Sequence, residues 1–337
     1  MEIRKVGSKE EWNSFVLSLA PNTFLESWQW KRVQERDGEA TDALGFYQDG
    51  ALVAVALLIL VGARRGAHYL CPHGPIGAAD MKQVLELLIS YCAEHSAEDG
   101  AVALRIAPLL SNTAENASLF ASLGFRPSPM HVHAELTWVL DIAISEEEIL
   151  RGMRKTTRHA IKKAQQGGVQ IEITTDPASL ERFWPLYKQT ETRHNFVPFK
   201  KEFIASQIEE FGSENMMYFA IATYEGKDVA AALLLQFGNT VFYYHGASVK
   251  LPSNISPTQL LQFEAILEAK RRGATRYNFW GIARDDEKNH PFAGITVFKK
   301  GFGGYALDYM HAQDYPLSWK YWKLWGIEMF RKKKRGF

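Results

Sequence analysis

The chain is expected to fold as two similar α/β domains, each built on a mixed sheet, and three observations support this. Its 337 residues are about twice an ordinary domain length. A segment recurs at a fixed offset of 176 residues: Gly50-Ala-Leu-Val-Ala-Val-Ala-Leu-Leu-Ile-Leu60 aligns with Gly226-Lys-Asp-Val-Ala-Ala-Ala-Leu-Leu-Leu-Gln236. The flanks of both copies follow one order, helix, hairpin, helix, strand, which is the pattern of a mixed α/β layer.

The elements follow in chain order. A helix is expected near Ser8 to Leu19, where Ser8 and Glu11 have capping-box spacing, and its counterpart near Leu180 to Thr192. Each precedes a hairpin whose turn holds Gly50 or Gly226, and His68-Tyr-Leu70 and Tyr244-His-Gly246 supply the following strands. Helical stretches come next at Asp80 to His95 and Pro257 to Arg272, ended by Gly100 and Gly273. The strands Ala101 to Ile106 and Thr275 to Trp280 complete the two units. The domains are expected over residues 1–145 and 146–315, with a linker near Leu140 to Glu148.

Composition removes several classes. Apolar residues are 46% and charged residues 23%, which excludes disorder and collagen-like repeats. Two cysteines, Cys71 and Cys92, are too few for a disulfide framework and suit a reducing cytoplasm. The stretch Met1 to Glu11 lacks the apolar core of a signal peptide. The longest apolar run, Ala51 to Val61, is far short of the ~18–20 residues that span a bilayer.

The net charge of +1 hides an asymmetry: residues 1–150 carry 11 Lys/Arg against 20 Asp/Glu, and residues 151–337 carry 28 against 18. The second half is therefore the one fitted to an anion. Its strongest feature starts at the helix signal Ser145 to Glu148 and runs to Gly167-Gly168, with room for a break near Gly152 to Thr156. Arg151, Arg154, Lys155, Arg158 and Lys162 share one helical face, Lys163 follows, and no acid lies between Arg151 and Lys163. Like charges at helical spacing repel, so such a face is eased by an external polyanion, and a phosphate backbone is the natural one. A merely solvated face is the other reading.

A second motif is Gly294-Ile-Thr-Val-Phe298-Lys299-Lys300-Gly301-Phe302-Gly303-Gly304, which follows the aromatic strand Tyr277 to Gly281. A helix is expected to begin near Ile295. A lysine fixed against such a glycine-rich turn could hold oxyanion charge in acyl transfer; a helix terminator with surface lysines is the alternative. Phosphate-loop, dinucleotide, zinc-helix and serine-elbow motifs are absent. His68, Cys71 and His73 have no recognised metal spacing.

The helix–hairpin–helix–strand unit resembles the acyl-CoA-dependent N-acetyltransferase (GNAT) fold, and Leu119 to Phe125 resembles that fold's late helix-to-strand turn. The glycine-rich turn that grips the CoA pyrophosphate is missing from both copies, and with it the free backbone N–H groups that anchor phosphate.

Five segments together resemble the Fem (FemABX) family of aminoacyl-tRNA-dependent peptidyltransferases, which build peptidoglycan side branches. They are Phe24-Leu-Glu-Ser-Trp-Gln-Trp30, Met153-Arg-Lys-Thr-Thr-Arg158 with Ile161-Lys-Lys-Ala164, Tyr244-His-Gly-Ala-Ser248, Asn278-Phe-Trp-Gly-Ile282 and Phe298-Lys-Lys-Gly-Phe-Gly-Gly304. The resemblance implies two tandem GNAT-like domains that do not use CoA, with the segment 316–337 returning to the first. No heptad stretch is long enough for the coiled-coil arm of some members, so this is the short form. The implied reaction moves Gly, Ala or Ser from aminoacyl-tRNA to the stem-peptide amine of UDP-MurNAc-pentapeptide or its lipid-linked form, without metal or cofactor. By resemblance Lys299 holds the oxyanion with Phe298 beside it. Arg193 and Tyr244 hold the muramyl peptide, Trp30 and Trp280 join the substrate site, and the basic helix meets tRNA. Two positions depart from the pattern. Gln34 stands where the family usually has a lysine, leaving Lys31 or Arg32 as the phosphate grip, and Ala107 stands where an acid often precedes Pro108.

Ser318 to Phe337 is aromatic and basic, with Trp319, Trp322, Trp325 and Met329 near one helical face and Arg331-Lys-Lys-Lys-Arg335 after them. That composition suits an anionic membrane surface at the inner leaflet, or a helix docked on the first domain. A CoA-dependent N-acyltransferase and a non-catalytic RNA-binding module remain as alternative functions. The oligomeric state carries no signal in the sequence.

Overall fold

The structure is a computed structural model. It describes the chain except residues 63–65, 78–79, 195–196, 252–254, 288–291 and 336–337, and gives only the backbone of His194, Lys334 and Arg335. The chain divides into two compact units, Met1–Glu135 with Asp308–Phe337, and Leu136–Leu307.

The first unit holds β1 (Glu2–Lys5), β2 (Ala40–Gln48), β3 (Ala51–Val61), β4 (Ala67–His73), β5 (Ile76–Gly77), β6 (Ala101–Pro108) and β7 (Arg126–Pro127), closed by β15 (Gln313–Pro316). Among the described residues the sheet order is β1-β2-β3-β4-β6-β15-β7, with β5 on β3. Among the described residues only β4 and β6 pair in parallel, Tyr69 with Leu104 and Cys71 with Ile106, so the sheet is mixed. Its helices are α1 (Lys9–Ser18), α2 (Trp28–Arg36), α3 (Met81–Asp99), α4 (Ala114–Ser122) and α11 (Tyr321–Arg335).

The Ser8 hydroxyl caps α1 by accepting from the Glu11 N–H, and Gly100 ends α3 with a positive φ. Every residue of β6 is buried. One core, built around Leu85, Leu88, Leu104, Ile106 and Phe120, covers one set of its side chains. The other set meets α11, where Tyr321 and Leu324 pack on Val102 and Ala103. A strand covered on both faces reads as a continuous apolar run, as Ala101 to Ile106 does. Arg105 is the exception. Its guanidinium forks onto Asp314 at 2.7 and 2.8 Å and reaches Glu328 at 2.7 Å, so one buried ion cluster ties β6, β15 and α11 together.

The second unit holds β8 (Leu136–Asp141), β9 (Gln170–Thr174), β10 (Met217–Tyr224), β11 (Lys227–Phe237), β12 (Thr240–Ser248), β13 (Arg276–Gly281) and β14 (Tyr305–Asp308). The sheet order is β14-β8-β13-β12-β11-β10-β9, with β12 and β13 parallel. Its helices are α5 (Glu146–Gly152), α6 (Lys155–Gln166), α7 (Leu180–His194), α8 (Lys201–Gly212), α9 (Pro257–Arg271) and α10 (Ala293–Lys300). A core of Ile161, Tyr218, Leu234, Ile266, Tyr277, Phe279 and Phe302 packs between sheet and helices.

Two expectations are corrected here. The residues Leu136–Asp141, expected within the first domain's range, form a strand of the second sheet, because Val139 pairs with Asn278 and Leu140 with Tyr277. The units accordingly part at Glu135/Leu136 and at Leu307/Asp308, before the expected boundaries at 145/146 and 315/316. In addition α2 and α8, both unforeseen, stand before the two hairpins. The repeat itself holds to the residue: β3 and β11 each have 11 residues and start and finish 176 apart.

Candidate active site

The second unit brings Tyr244, Trp280 and Lys299 to the ends of β12 and β13. These strands pair from Thr240 with Arg276 to Phe242 with Asn278, and then part. Each carries a register shift at that point, Tyr243 to His245 against Leu234 and Leu233, and Asn278 to Gly281 against β8. A bulge re-aims the side chain it carries. Trp280 takes a left-handed backbone, φ 66°, held by its N–H donating to Asn278 Oδ1 at 2.8 Å. A non-glycine residue pays strain for that conformation. The two bulges bring the rings of Tyr244 and Trp280 to 5.6 Å, edge to face.

Helix α10 delivers Lys299 to the same place. Buried Thr296 pins the helix, since its hydroxyl accepts from the Ala283 N–H at 2.8 Å, just past β13. The Lys299 side chain is 5% exposed, and its Nζ donates to the Gly281 carbonyl at 2.6 Å, 6.0 Å from the Tyr243 ring centre. Burial without a carboxylate pushes its pKa down to about 7. Phe298 is partly buried against the core and meets Phe302 edge to face. Burial also raises Tyr243 to about 12, pushes Tyr244 up, and lowers His245 to about 3. His245 Nε2 meets Gln207 Oε1 at 2.9 Å, so a neutral ring donates there.

The glycines after Lys299 serve packing. Gly303 and Gly304 have φ of 84° and 96°. A Cβ on Gly304 would lie 2.2 Å from the Val139 carbonyl oxygen, and one on Gly303 2.8 Å from that of Gly152. This turn meets the basic segment directly, because the Arg154 N–H donates to the Gly301 carbonyl at 2.9 Å.

The basic helix is two helices, α5 and α6, broken at Met153 and Arg154. Ser145 and Glu148 form a full capping box on α5. Ile161 and Ala164 face the core, while Arg154, Lys155, Lys162 and Lys163 are exposed. Arg158, expected on the anion-binding face, instead turns back to the Leu150, Arg151 and Met153 carbonyls and caps the end of α5. Arg151 reaches Glu147 at 3.5 Å.

Arg193 sits near the end of α7, and its guanidinium donates to the Ser248 hydroxyl at 3.1 Å, placing it at the end of the strand that carries Tyr244. The remaining expected residues lie in the first unit. Trp30 is 3% exposed and packs edge to face on Phe24. Lys31 is ion-paired with Glu35 and lies over the Trp28 ring. Gln34 is half-buried. The sequence reading missed Tyr243, His245 and Asn278. Gly246 leaves room for the first, since a Cβ there would lie 1.8 Å from the Tyr243 hydroxyl.

Similarity to known proteins bears on the family and the fold. The FemAB family model matches residues 8–228 and 220–326. The chain belongs to the FemAB family. Its relatives include lipid II:glycine glycyltransferases of Staphylococcus epidermidis, 20% identical over 92% of each chain, and of Staphylococcus aureus, 22% identical over the same shares. The crystal structure of FemX superposes with a TM-score of 0.85 at 18% identity, over 97% of this chain and all of that one. A tandem GNAT protein from the clavulanic acid pathway follows at 0.57 and 12% identity, over 94% and 98%. This FemAB-family chain thus has the expected fold, two tandem GNAT-like units with mixed sheets.

Proposed function

We propose that the chain transfers an amino acid from aminoacyl-tRNA to the stem-peptide amine of a peptidoglycan precursor, extending an interpeptide bridge. The observation that carries this reading is the buried ammonium of Lys299 at the parting of β12 and β13, in a chain whose family relatives are named lipid II:glycine glycyltransferases.

The substrate amine, deprotonated, attacks the ester carbonyl carbon. A C–N bond forms, the carbonyl oxygen takes negative charge, and collapse expels the ribose oxygen, which gains a proton as the amine loses its second. Lys299 supplies the positive charge for the transient oxyanion. A donor already desolvated and fixed stabilises such charge without reorganising. Phe298 and Tyr243 keep water from it. Arg193, Tyr244 and Trp280 offer one cation and two ring edges to the muramyl peptide. Arg154, Lys155, Lys162 and Lys163 offer tRNA an acid-free surface joined through Gly301 to the Lys299 turn.

Among the described residues no helix is long and apolar enough to cross a membrane. The proposed membrane contact is peripheral. Helix α11 docks through Tyr321 and Leu324, while Trp319 and Phe330 are 79% and 71% exposed. The helix starts at Tyr321, so Trp319 precedes it and does not share its face. Flotation with anionic vesicles, for intact and tail-deleted protein, checks this part separately.

The deciding experiment incubates the protein with glycyl-, alanyl- and seryl-tRNA in turn, with UDP-MurNAc-pentapeptide or lipid II, and follows acceptor mass. A gain of one residue, abolished by ribonuclease, is expected and names the donor. No gain on either acceptor would overturn the reading.

A further inference from the structure

The segment Ser128 to Glu135, read as Ser-Pro-Met-His-Val-His-Ala-Glu, and the return segment beginning at Asp308 belong to the same unit. They are laced together by backbone bonds: the Ser128 N–H donates to the Ala312 carbonyl, and the Tyr309 N–H to that of Glu135, each at 2.8 Å. Across this lacing, His131, Glu135 and His311 face one another with ligand-capable atoms all within 4.8 Å.

The hydrogen-bond bookkeeping is informative. His311 Nε2 lies 2.7 Å from the Ser128 carbonyl oxygen. A carbonyl can only accept, so Nε2 carries the hydrogen. In the neutral ring Nδ1 is then a bare lone pair, yet it lies 2.7 Å from a carboxylate oxygen of Glu135. His131 Nδ1 faces the other oxygen of the same carboxylate at 2.9 Å. The two rings stand nearly perpendicular, 4.9 Å apart. The His311 lone pair needs a positive centre between it and the carboxylate, whereas His131 Nδ1 can meet its oxygen with the hydrogen of a neutral ring. One added proton could provide that centre, as could one cation. A histidine that gives its outer N–H to a backbone carbonyl while its inner nitrogen looks at a carboxylate has the arrangement of a metal ligand with its supporting shell.

We propose that His131, His311 and Glu135 bind a divalent transition-metal ion of the zinc class. Two imidazoles and one carboxylate suit zinc and its neighbours, not magnesium or calcium. Ligand atoms of a tetrahedral site at ~2.0–2.1 Å from the metal stand about 3.3 Å apart, so seating an ion lengthens the two nitrogen–carboxylate distances of 2.7 and 2.9 Å by about half an ångström, within a cluster that spans at most 4.8 Å. The His131 side chain is 57% exposed, which leaves solvent free to supply a fourth ligand. The site is distant in role from acyl transfer. It cross-braces the two places where the chain leaves the first unit and re-enters it, Glu135 and Asp308. Lys332 is the cation in electrostatic reach of His311, and it weakens affinity without blocking a ligand atom.

The test is a titration of metal-stripped full-length protein with Zn2+ by calorimetry, and with Co2+ by absorption. One ion per chain is expected, with micromolar or tighter affinity, a tetrahedral cobalt spectrum and a melting temperature raised by several degrees. His131→Asn removes an exposed ligand with little cost to folding, and is expected to weaken binding at least tenfold. His311→Asn and Glu135→Gln are expected to abolish it, and His95→Asn, on α3, to leave it unchanged. Absence of stoichiometric binding would overturn the proposal and leave a protonated His–Glu–His cluster. So would binding that all three ligand variants retain.

Discussion

Replacing Lys299 by methionine should make the protein more stable and nearly inactive. Methionine keeps the length and volume of the lysine stem and removes the charge. Burial lowers the lysine pKa from 10.5 to about 7, which at ~1.36 kcal/mol per pH unit corresponds to about 5 kcal/mol of cost for holding the proton. The variant also abandons the Gly281 carbonyl, an acceptor now 2.6 Å from Nζ, at a cost of ~1–3 kcal/mol. The balance is a gain of roughly 2–4 kcal/mol in the folding of the second unit, or about 5–10 °C in its melting temperature. The sign with pH follows from linkage. Between about 7 and 10.5 the unfolded chain binds the proton that the folded lysine has released, so wild-type stability rises with pH across that window. The advantage of Lys299→Met is therefore full at pH 7 and below and fades towards 10.5. Turnover should move the other way, falling by ~10²–10³ as for loss of an oxyanion donor, with precursor binding retained. In the wild type kcat should decline as pH rises through about 7, because the ammonium is the active form. Differential scanning calorimetry and the mass assay run on the same samples. A variant that melts lower, with activity lost only in proportion to unfolding, would refute the reasoning. So would a wild-type rate that climbs through pH 7, which would make the lysine a base.

Three further outcomes are expected. Glutamate at Lys155, Lys162 and Lys163 together should weaken tRNA binding and flatten its salt dependence by about 0.7–0.9 in log–log slope for each phosphate no longer neutralised, as read by filter binding across a salt series with unchanged circular dichroism. Arg105→Ala leaves Asp314 and Glu328 facing each other without their cation, and denaturant titration should show a loss of ~3–5 kcal/mol. Glu26 is fully buried, takes the Leu57 N–H at 2.9 Å, and has its carboxyl pKa raised well above 4.5 by burial. The folded state thus keeps a proton that the unfolded chain gives up, and stability falls as pH rises above about 4.5. Glu26→Gln should abolish that slope, and denaturation midpoints compared at pH 5 and pH 8 measure it.

What was legible in the sequence was what repeats or has a local period. The duplicated hairpins, the capped starts at Ser8 and Ser145 and the apolar run of β6 are all local signals. What was hidden depends on partners far along the chain. Leu136–Asp141 carries no local signal of its partner, and only its pairing with β13 assigns it to the second sheet. Trp30 belongs to a motif of conspicuous aromatics, yet it fills the core beside Phe24. Arg158 fits the charged face by spacing, but the helix break at Met153 leaves bare carbonyls within its reach, and it satisfies them. The bulges at Tyr244 and Trp280 leave no trace in residue periodicity, although they give those rings their direction. The place of Lys299 in a glycine-rich motif was visible; its burial and its carbonyl partner were not.

The placement of β15 between β6 and β7 has a consequence for synthesis. Arg105 waits 209 residues for Asp314, which at ~5–20 residues per second is on the order of 10–40 s on the ribosome. The intervening unit is continuous in sequence and can close while the earlier one still lacks a strand. The portion made first therefore cannot be the first to be complete. Until residue 316 emerges, β6 offers an unpaired edge, and the nascent chain is most open to mispairing there.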